Sequence, residues 1–337
     1  MDRLPKLADP KLHKIRFSLD SLNATAHGND FDAGERFKAF AHLQHLQINN
    51  SVTPFLYASL NKVLERIGVS LDRVEAFVYN SAEMQAECFS ITGGKCVLRF
   101  SSGLIDILTD EEFQFVIGHE LGHYIYGHQG LHLSEKPTYR QLKSSRYQEI
   151  SADRVGLIAS GSLEVAIKAL MKSSSGLAGK HLRFDVGTYL NQLRAAGNHS
   201  SYFEEQSTHP STPLRCKALF WFSMVDKPLH IGERTLVNAI EKADKQVEKD
   251  LIKYSEANTY QLSLEISAEL NFWKELEEIS LKGKLTKADQ EHLEKFYGPE
   301  ILNKVLRFIQ GKSPSEVVEH TRSRVLSFQR ELHDLGY

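Results

Sequence analysis

The stretch GHELGHYIYGH, Gly118 to His128, constrains this chain more than any other. It sets three histidines and a glutamate among apolar residues: Phe115, Val116 and Ile117 on one side, Leu121 and Ile125 within it. Apolar residues at that spacing bury a helix, and buried imidazoles and carboxylates need partners. His119 and His123 are four residues apart, so on a helix they share a face and both rings can reach one ion. Glu120 stands beside His119, angled so that its carboxylate can meet a water on such an ion. Zinc lowers the pKa of that water toward about 7, within reach of a carboxylate at neutral pH. This is the logic of the H-E-x-x-H pattern. The competing reading is a solvated histidine face, which the apolar neighbours disfavour. Gly118 and Gly122 flank the site. Each costs about 1 kcal/mol against alanine in a helix interior, and the close approach of another backbone or of substrate is a reason to accept that cost.

Catalytic zinc takes a third protein ligand and keeps a fourth position open. His128 lies about a turn and a half past His123 and is directed away from the pair, as a surface group or an outer partner of the site. His132, past the helix, is a weaker candidate. The better one lies in RYQEISADRVGLIAS, where Glu149 and Asp153 are four apart on one face of the next helix. Ala152, Val155, Leu157 and Ile158 make the neighbourhood apolar, which argues against a solvated carboxylate pair. Glu149 is the expected third ligand. Asp153 is placed to accept the second N–H of a ligating histidine and set its tautomer.

LTDEEFQFVIGHELGHYIYGH followed by YQEISADRVGLIAS resembles the M48 family of zinc metallopeptidases, gluzincins with H-E-x-x-H and E-x-x-A-D motifs. The likeness continues through GSLEVAIKALMKSSSGL and into STHPSTPLR, which fits an H-P-x4-R element as His209, Pro210 and Arg215. By that resemblance His119, His123 and Glu149 bind one zinc per chain, Glu120 is the general base, and Asp153 supports a ligand from outside. His209 and Arg215 then lie near the metal and count among the catalytic residues. Either could stabilise the oxyanion of a tetrahedral intermediate, or His209 could fill the fourth zinc position and hold the enzyme latent. Many family members carry membrane helices or a signal peptide. Neither is found here, so a role in membrane-protein quality control is not carried over.

The implied fold class is α+β and mainly α-helical: a zincin-like catalytic domain with a small antiparallel sheet, then an all-helical C-terminal region. Residues 1–70 read as a helical segment, 71–226 as the metallopeptidase domain and 227–337 as helices of unassigned role. VEAFVYN, AECFSIT and KCVLRFS are the strands, with TGGK as the hairpin turn. Thr109 with Glu112 has the form of a capping box, and the S-P-S-E element from Ser313 to Glu316 is a good helix start. An extended substrate needs a strand edge, and Ala86, Glu87, Cys88 and Phe89 are the candidate residues.

A formal net charge of -2 gives no broad pull toward nucleic acid. Three cysteines form neither a disulfide framework nor a thiolate zinc site and suit a reducing compartment. The charged stretch MDRLPKLADPKLHKIRFSLDS lacks an apolar core, and no run approaches about 18 apolar residues. The expectation is a cytoplasmic protein without an integral membrane segment, acting on peptides or unfolded proteins, with self-association through the C-terminal helices open to it. The leading function is a zinc endopeptidase. The alternatives are a zinc-stabilised adaptor with latent or absent protease activity and, third, an exopeptidase.

Overall fold

The computed structural model describes residues 31–128, 137–197, 203–225 and 233–337. Expectations for residues 1–30 and for His132 lie outside the described residues. The chain forms two compact units, Met1–Pro137 with Gln141–Glu256, and Thr138–Arg140 with Ala257–Tyr337. The fold is mainly helical with one small sheet. Among the described residues no helix is long and apolar enough to cross a membrane.

The sheet of the first unit has four strands in the order β1-β2-β4-β3: β1 Leu46–Gln47, β2 Val74–Tyr79, β3 Ala86–Ile91 and β4 Lys95–Ser101. It is mixed rather than antiparallel. β1 and β3 run antiparallel to their neighbours, but β2 and β4 are parallel, in register from Val74↔Cys96 to Tyr79↔Ser101. The burial pattern explains the order. Cys96, Val97, Leu98 and Phe100 are fully buried, so β4 needs cover on both faces and a strand on each side. β3 is half-buried along most of its length and suits an edge. The chain therefore leaves β2 for the far edge, turns, and returns between the two. Gly93 and Gly94 make that turn at φ 72° and 66°, a region L side chains avoid. Cys88 pairs with Leu98 and Cys96 with Ser90, so the two thiols do not face each other; all three cysteines are free.

Side chains alternate across the sheet. Phe77 and Val97 face α1 (Phe31–Gln44), which sets Phe37 and Ala41 on them. Ala76, Leu98 and Phe100 face the main core, shared with Leu60 and Val63 of α2 (Pro54–Ile67). After the short α3 (Ser102–Ile107) comes α4 (Asp110–Tyr126), with every residue from Glu112 to Gly122 buried. Its start is the predicted capping box: Thr109 Oγ1 accepts from the Glu112 N–H at 3.3 Å, and Glu112 Oε2 accepts from the Thr109 N–H at 2.8 Å. Among the described residues the unit continues with α5 (Tyr139–Ser160, from Gln141 on), α6 (Leu163–Ser175), α7 (Val186–Ala196) and α8 (Thr212–Ser223). α9 (Glu233–Ser255) belongs to it as well, through Val247, Leu251 and Tyr254 packed with Leu214 and Ala218.

The long charged stretch after residue 233 is two helices, broken at Glu256. The second unit consists of α10 (Ala257–Leu281), α11 (Lys287–Tyr297), α12 (Pro299–Ile309) and α13 (Pro314–Leu335). Ile266 and Leu270 of α10 pack on Val325 and Phe328 of α13, while Leu276 and Ile279 meet Leu293 and Val305. The helix start expected at S-P-S-E opens α13, and the structure makes it a capping box of Ser313 with Glu316.

Candidate metal centre

α4 and α5 touch through small residues. A Cβ on Gly118 would fall 2.3 Å from the Ala159 Cβ, and one on Gly122 would fall 2.8 Å from the Ala152 Cα. The two helix glycines thus answer to another backbone. The contact brings Glu149 of α5 over the histidine face of α4.

There the imidazoles of His119 and His123 and the Glu149 carboxylate converge. The two Nε2 atoms are 3.2 Å apart. Glu149 Oε2 is 3.5 Å from His119 Nε2, and its Oε1 is 3.3 Å from His123 Nε2. Among the described residues this is the one trio of such side chains close enough to share an ion. Nitrogen and oxygen ligands about 2.0–2.2 Å from a tetrahedral zinc lie roughly 3.3–3.5 Å from one another. The donor set and its spacing therefore fit that ion. His119 supports the fit further. Its Nδ1 lies 3.0 Å from Asp153 Oδ1, and donating there leaves the Nε2 lone pair aimed at the trio.

Arg215 of α8 locks the carboxylates. Its Nε and Nη2 donate to Asp153 Oδ2 and Oδ1 at 2.8 and 2.6 Å, a bidentate fork. Its Nη1 lies 3.3 Å from Glu149 Oε2. Burial opposes ionisation of Glu149 and Asp153, but the Arg215 charge and the histidines hold Glu149 well below the usual carboxylate range and Asp153 below it. The same carboxylates raise Arg215 against its own burial. For His123 burial again opposes the charge, and the bond to Glu149 outweighs it, so its pKa rises.

Glu120 is 7% exposed and faces a cleft of about 330 Å³ without joining the trio. Burial pushes its pKa up, and the two histidines only partly offset the rise. His209 stands at the rim with its side chain 61% exposed, Nε2 3.3 Å from Glu149 Oε1 and Nδ1 2.8 Å from Thr208 Oγ1. Of the candidate strand residues, Ala86 lines the cleft, with Met84 and Gln85 just before it. Glu87 is bound to Arg99, Cys88 packs on the core, and Phe89 stacks on Phe37 with ring centroids 4.1 Å apart.

His128 is a buried partner and not a surface group. Its N–H returns to the His123 carbonyl at 2.8 Å, which folds the ring back until the two Nδ1 atoms are 3.3 Å apart. Burial keeps this imidazole well below its usual pKa. The spacing argument alone could not see this chain reversal. Lys172 was not singled out either. It reaches from α6 to Glu112 Oε2 at 2.5 Å and neutralises a buried carboxylate at the head of α4.

The profile of peptidase family M48 matches residues 51–138 and 131–220. Plastoglobule-localized metallopeptidase 48, a chloroplastic protein of Arabidopsis thaliana, is 26% identical over 180 residues, 45% of this chain and 52% of that protein. Protease HtpX of Legionella pneumophila (strain Lens) is 24% identical over 182 residues, 47% of this chain and 64% of that one. The chain thus spans about half the length of the first relative and under two thirds of the second. No solved structure matches. The two matched stretches cover half of the chain and contain the histidine pair, Glu149, Asp153, His209 and Arg215. The chain belongs to peptidase family M48.

Proposed function

We propose that this protein is a zinc-dependent endopeptidase that hydrolyses peptide bonds in extended or unfolded segments. The observation that carries the reading is the His119, His123, Glu149 trio, at tetrahedral spacing, beside a buried carboxylate that is not part of it. Two imidazoles and a carboxylate suit zinc, one ion per chain. When bound, the zinc supplies a Lewis acid that acidifies water and polarises a carbonyl oxygen.

The chain's own residues do the rest. Glu120 takes the proton of the attacking water and returns it to the departing amide nitrogen. Its burial raises its proton affinity above that of an ordinary carboxylate, which favours taking the proton. Asp153 holds the His119 tautomer, and Arg215, with its donors on Asp153 and Glu149, holds the carboxylates in place. That leaves His209, at the open rim, to donate to the oxygen that gains charge. The start of β3 at Ala86, with Met84 and Gln85 just before it, is where a substrate backbone would align. Three free cysteines suit the reducing cytoplasm as the working compartment.

The reading is tested by hydrolysis of unfolded casein and of an end-blocked peptide, before and after chelation. Both activities should vanish with the metal and return with stoichiometric zinc. Hydrolysis that survives chelation contradicts the proposal. One bound zinc with neither substrate cleaved favours the adaptor alternative, and cleavage of free but not end-blocked peptides favours an exopeptidase.

A further inference from the structure

One turn ahead of Glu149, α5 carries a buried cation that the chemistry above does not use. Arg146 is 2% exposed. Its Nη1 lies 3.3, 3.5 and 3.1 Å from the carbonyl oxygens of Glu204, Glu205 and Ser207. Its Nη2 lies 3.3 Å from Oε1 of Glu256, a fully buried carboxylate that also has Lys143 Nζ at 3.5 Å.

The carbonyls belong to the turn that delivers His209. Within it, the Ser211 N–H donates to both carboxylate oxygens of Glu204 at 3.0 Å, just ahead of α8. Ser207 Oγ donates to the His209 carbonyl at 2.8 Å, and the His209 N–H lies 3.2 Å from the same oxygen. These bonds close the turn on itself but do not set it against α5. Arg146 does. Three carbonyl dipoles converging on one point repel each other unless a donor sits there, and a cationic one is stronger than a neutral one.

We propose that Arg146 is a positioning residue for the hydrolysis proposed above, on which this inference rests. By gathering the Glu204, Glu205 and Ser207 carbonyls, it seats the turn so that His209 meets Glu149, three residues along the same helix. The role needs the guanidinium fork. One arm holds the turn while the other answers Glu256, and an ammonium cannot span both.

The test combines Arg146→Lys with His209→Ala, using kinetics and hydrogen exchange on the full-length zinc-loaded protein. Arg146→Lys should lower kcat by about 10–100-fold. Adding His209→Ala should cost no more than the larger single change, because Arg146 acts through His209. Amides of the 204–211 turn should exchange faster, while those of α4 and α5 keep their protection and zinc stays at one per chain. Losses that multiply, or a turn whose exchange does not change, overturn the proposal. If Arg146→Lys fails to fold, the triple change Arg146→Met, Lys143→Met and Glu256→Met carries the same measurements, since apolar residues can replace a whole buried ion triad without loss of fold. If the wild type hydrolyses nothing, the proposed function fails, and the exchange comparison still decides the role of Arg146.

Discussion

Gly122→Ala should destabilise this protein, although the same change in an ordinary helix stabilises it. In a helix interior alanine gains about 1 kcal/mol over glycine. Here the added methyl would lie 2.8 Å from the Ala152 Cα, 3.2 Å from the Ala152 carbonyl oxygen and 3.2 Å from the Val155 Cβ. Carbon pairs rest at about 3.5–4.0 Å, so α4 and α5 must part by roughly 0.7 Å. The obstructing atoms are backbone or sit next to it, so no rotamer change relieves the crowding. Overpacking of this kind costs about 1–3 kcal/mol, enough to reverse the propensity gain and leave a net loss of about 1 kcal/mol. The separation falls where it affects the metal, since His123 follows Gly122 and Glu149 is a turn before Ala152. Zinc affinity should fall by about tenfold, at the low end of what outer support of a metal site is worth. Urea unfolding of the metal-free protein reads the first effect, and competition with a chromophoric chelator reads the second. A Gly122→Ala variant that is more stable and binds zinc unchanged would refute the argument that α4 and α5 meet here at backbone contact.

Lys172→Met strands the buried Glu112 carboxylate, which keeps the Thr109 N–H as a donor but loses its counter-ion, and should cost about 3–5 kcal/mol in a denaturation experiment; a loss below about 1 kcal/mol would mean the pair is not desolvated. Asp153→Asn removes the charge that Arg215 grips and turns one of the two acceptor oxygens into an NH2 donor, so His119 and Arg215 compete for the oxygen that remains; zinc affinity should drop about 10–100-fold with helicity unchanged, and unaltered affinity would contradict the role given to Asp153. Glu149 and Asp153 are held below the usual carboxylate range in the folded chain. At acid pH the unfolded chain therefore binds more protons. The stability these groups contribute is complete above the unfolded carboxylate pKa of about 4 and is lost as pH falls toward the depressed native values. Unfolding of the metal-free protein between about pH 5 and 2 reads this, and stability that rose on acidification would have the wrong sign.

What could be read from the sequence was local. The His119–His123 spacing, the apolar residues around it, the Thr109 capping box and the helix start at Ser313 each lie within a few residues, and the structure has each of them. The strand direction did not yield to that reasoning. VEAFVYN and KCVLRFS look alike as strands, and their parallel pairing depends on where the chain between them travels. His128 shows the same limit at short range. Its spacing directs it away from the pair, but the N–H that returns to His123 folds the ring back against that histidine and buries it. Arg146 gave no signal at all. Its partners are backbone carbonyls 58 to 61 residues away, which carry no residue identity, and one carboxylate, Glu256, 110 residues away. The helix glycines were legible because their cost demanded a reason, and the structure supplies a neighbouring backbone.

The most direct test of the central claim is zinc content and casein cleavage measured together on the wild type and on Glu120→Gln. One zinc per chain in both proteins, with turnover in the wild type alone, is the predicted result. Turnover retained by Glu120→Gln, or no zinc in either protein, would contradict it.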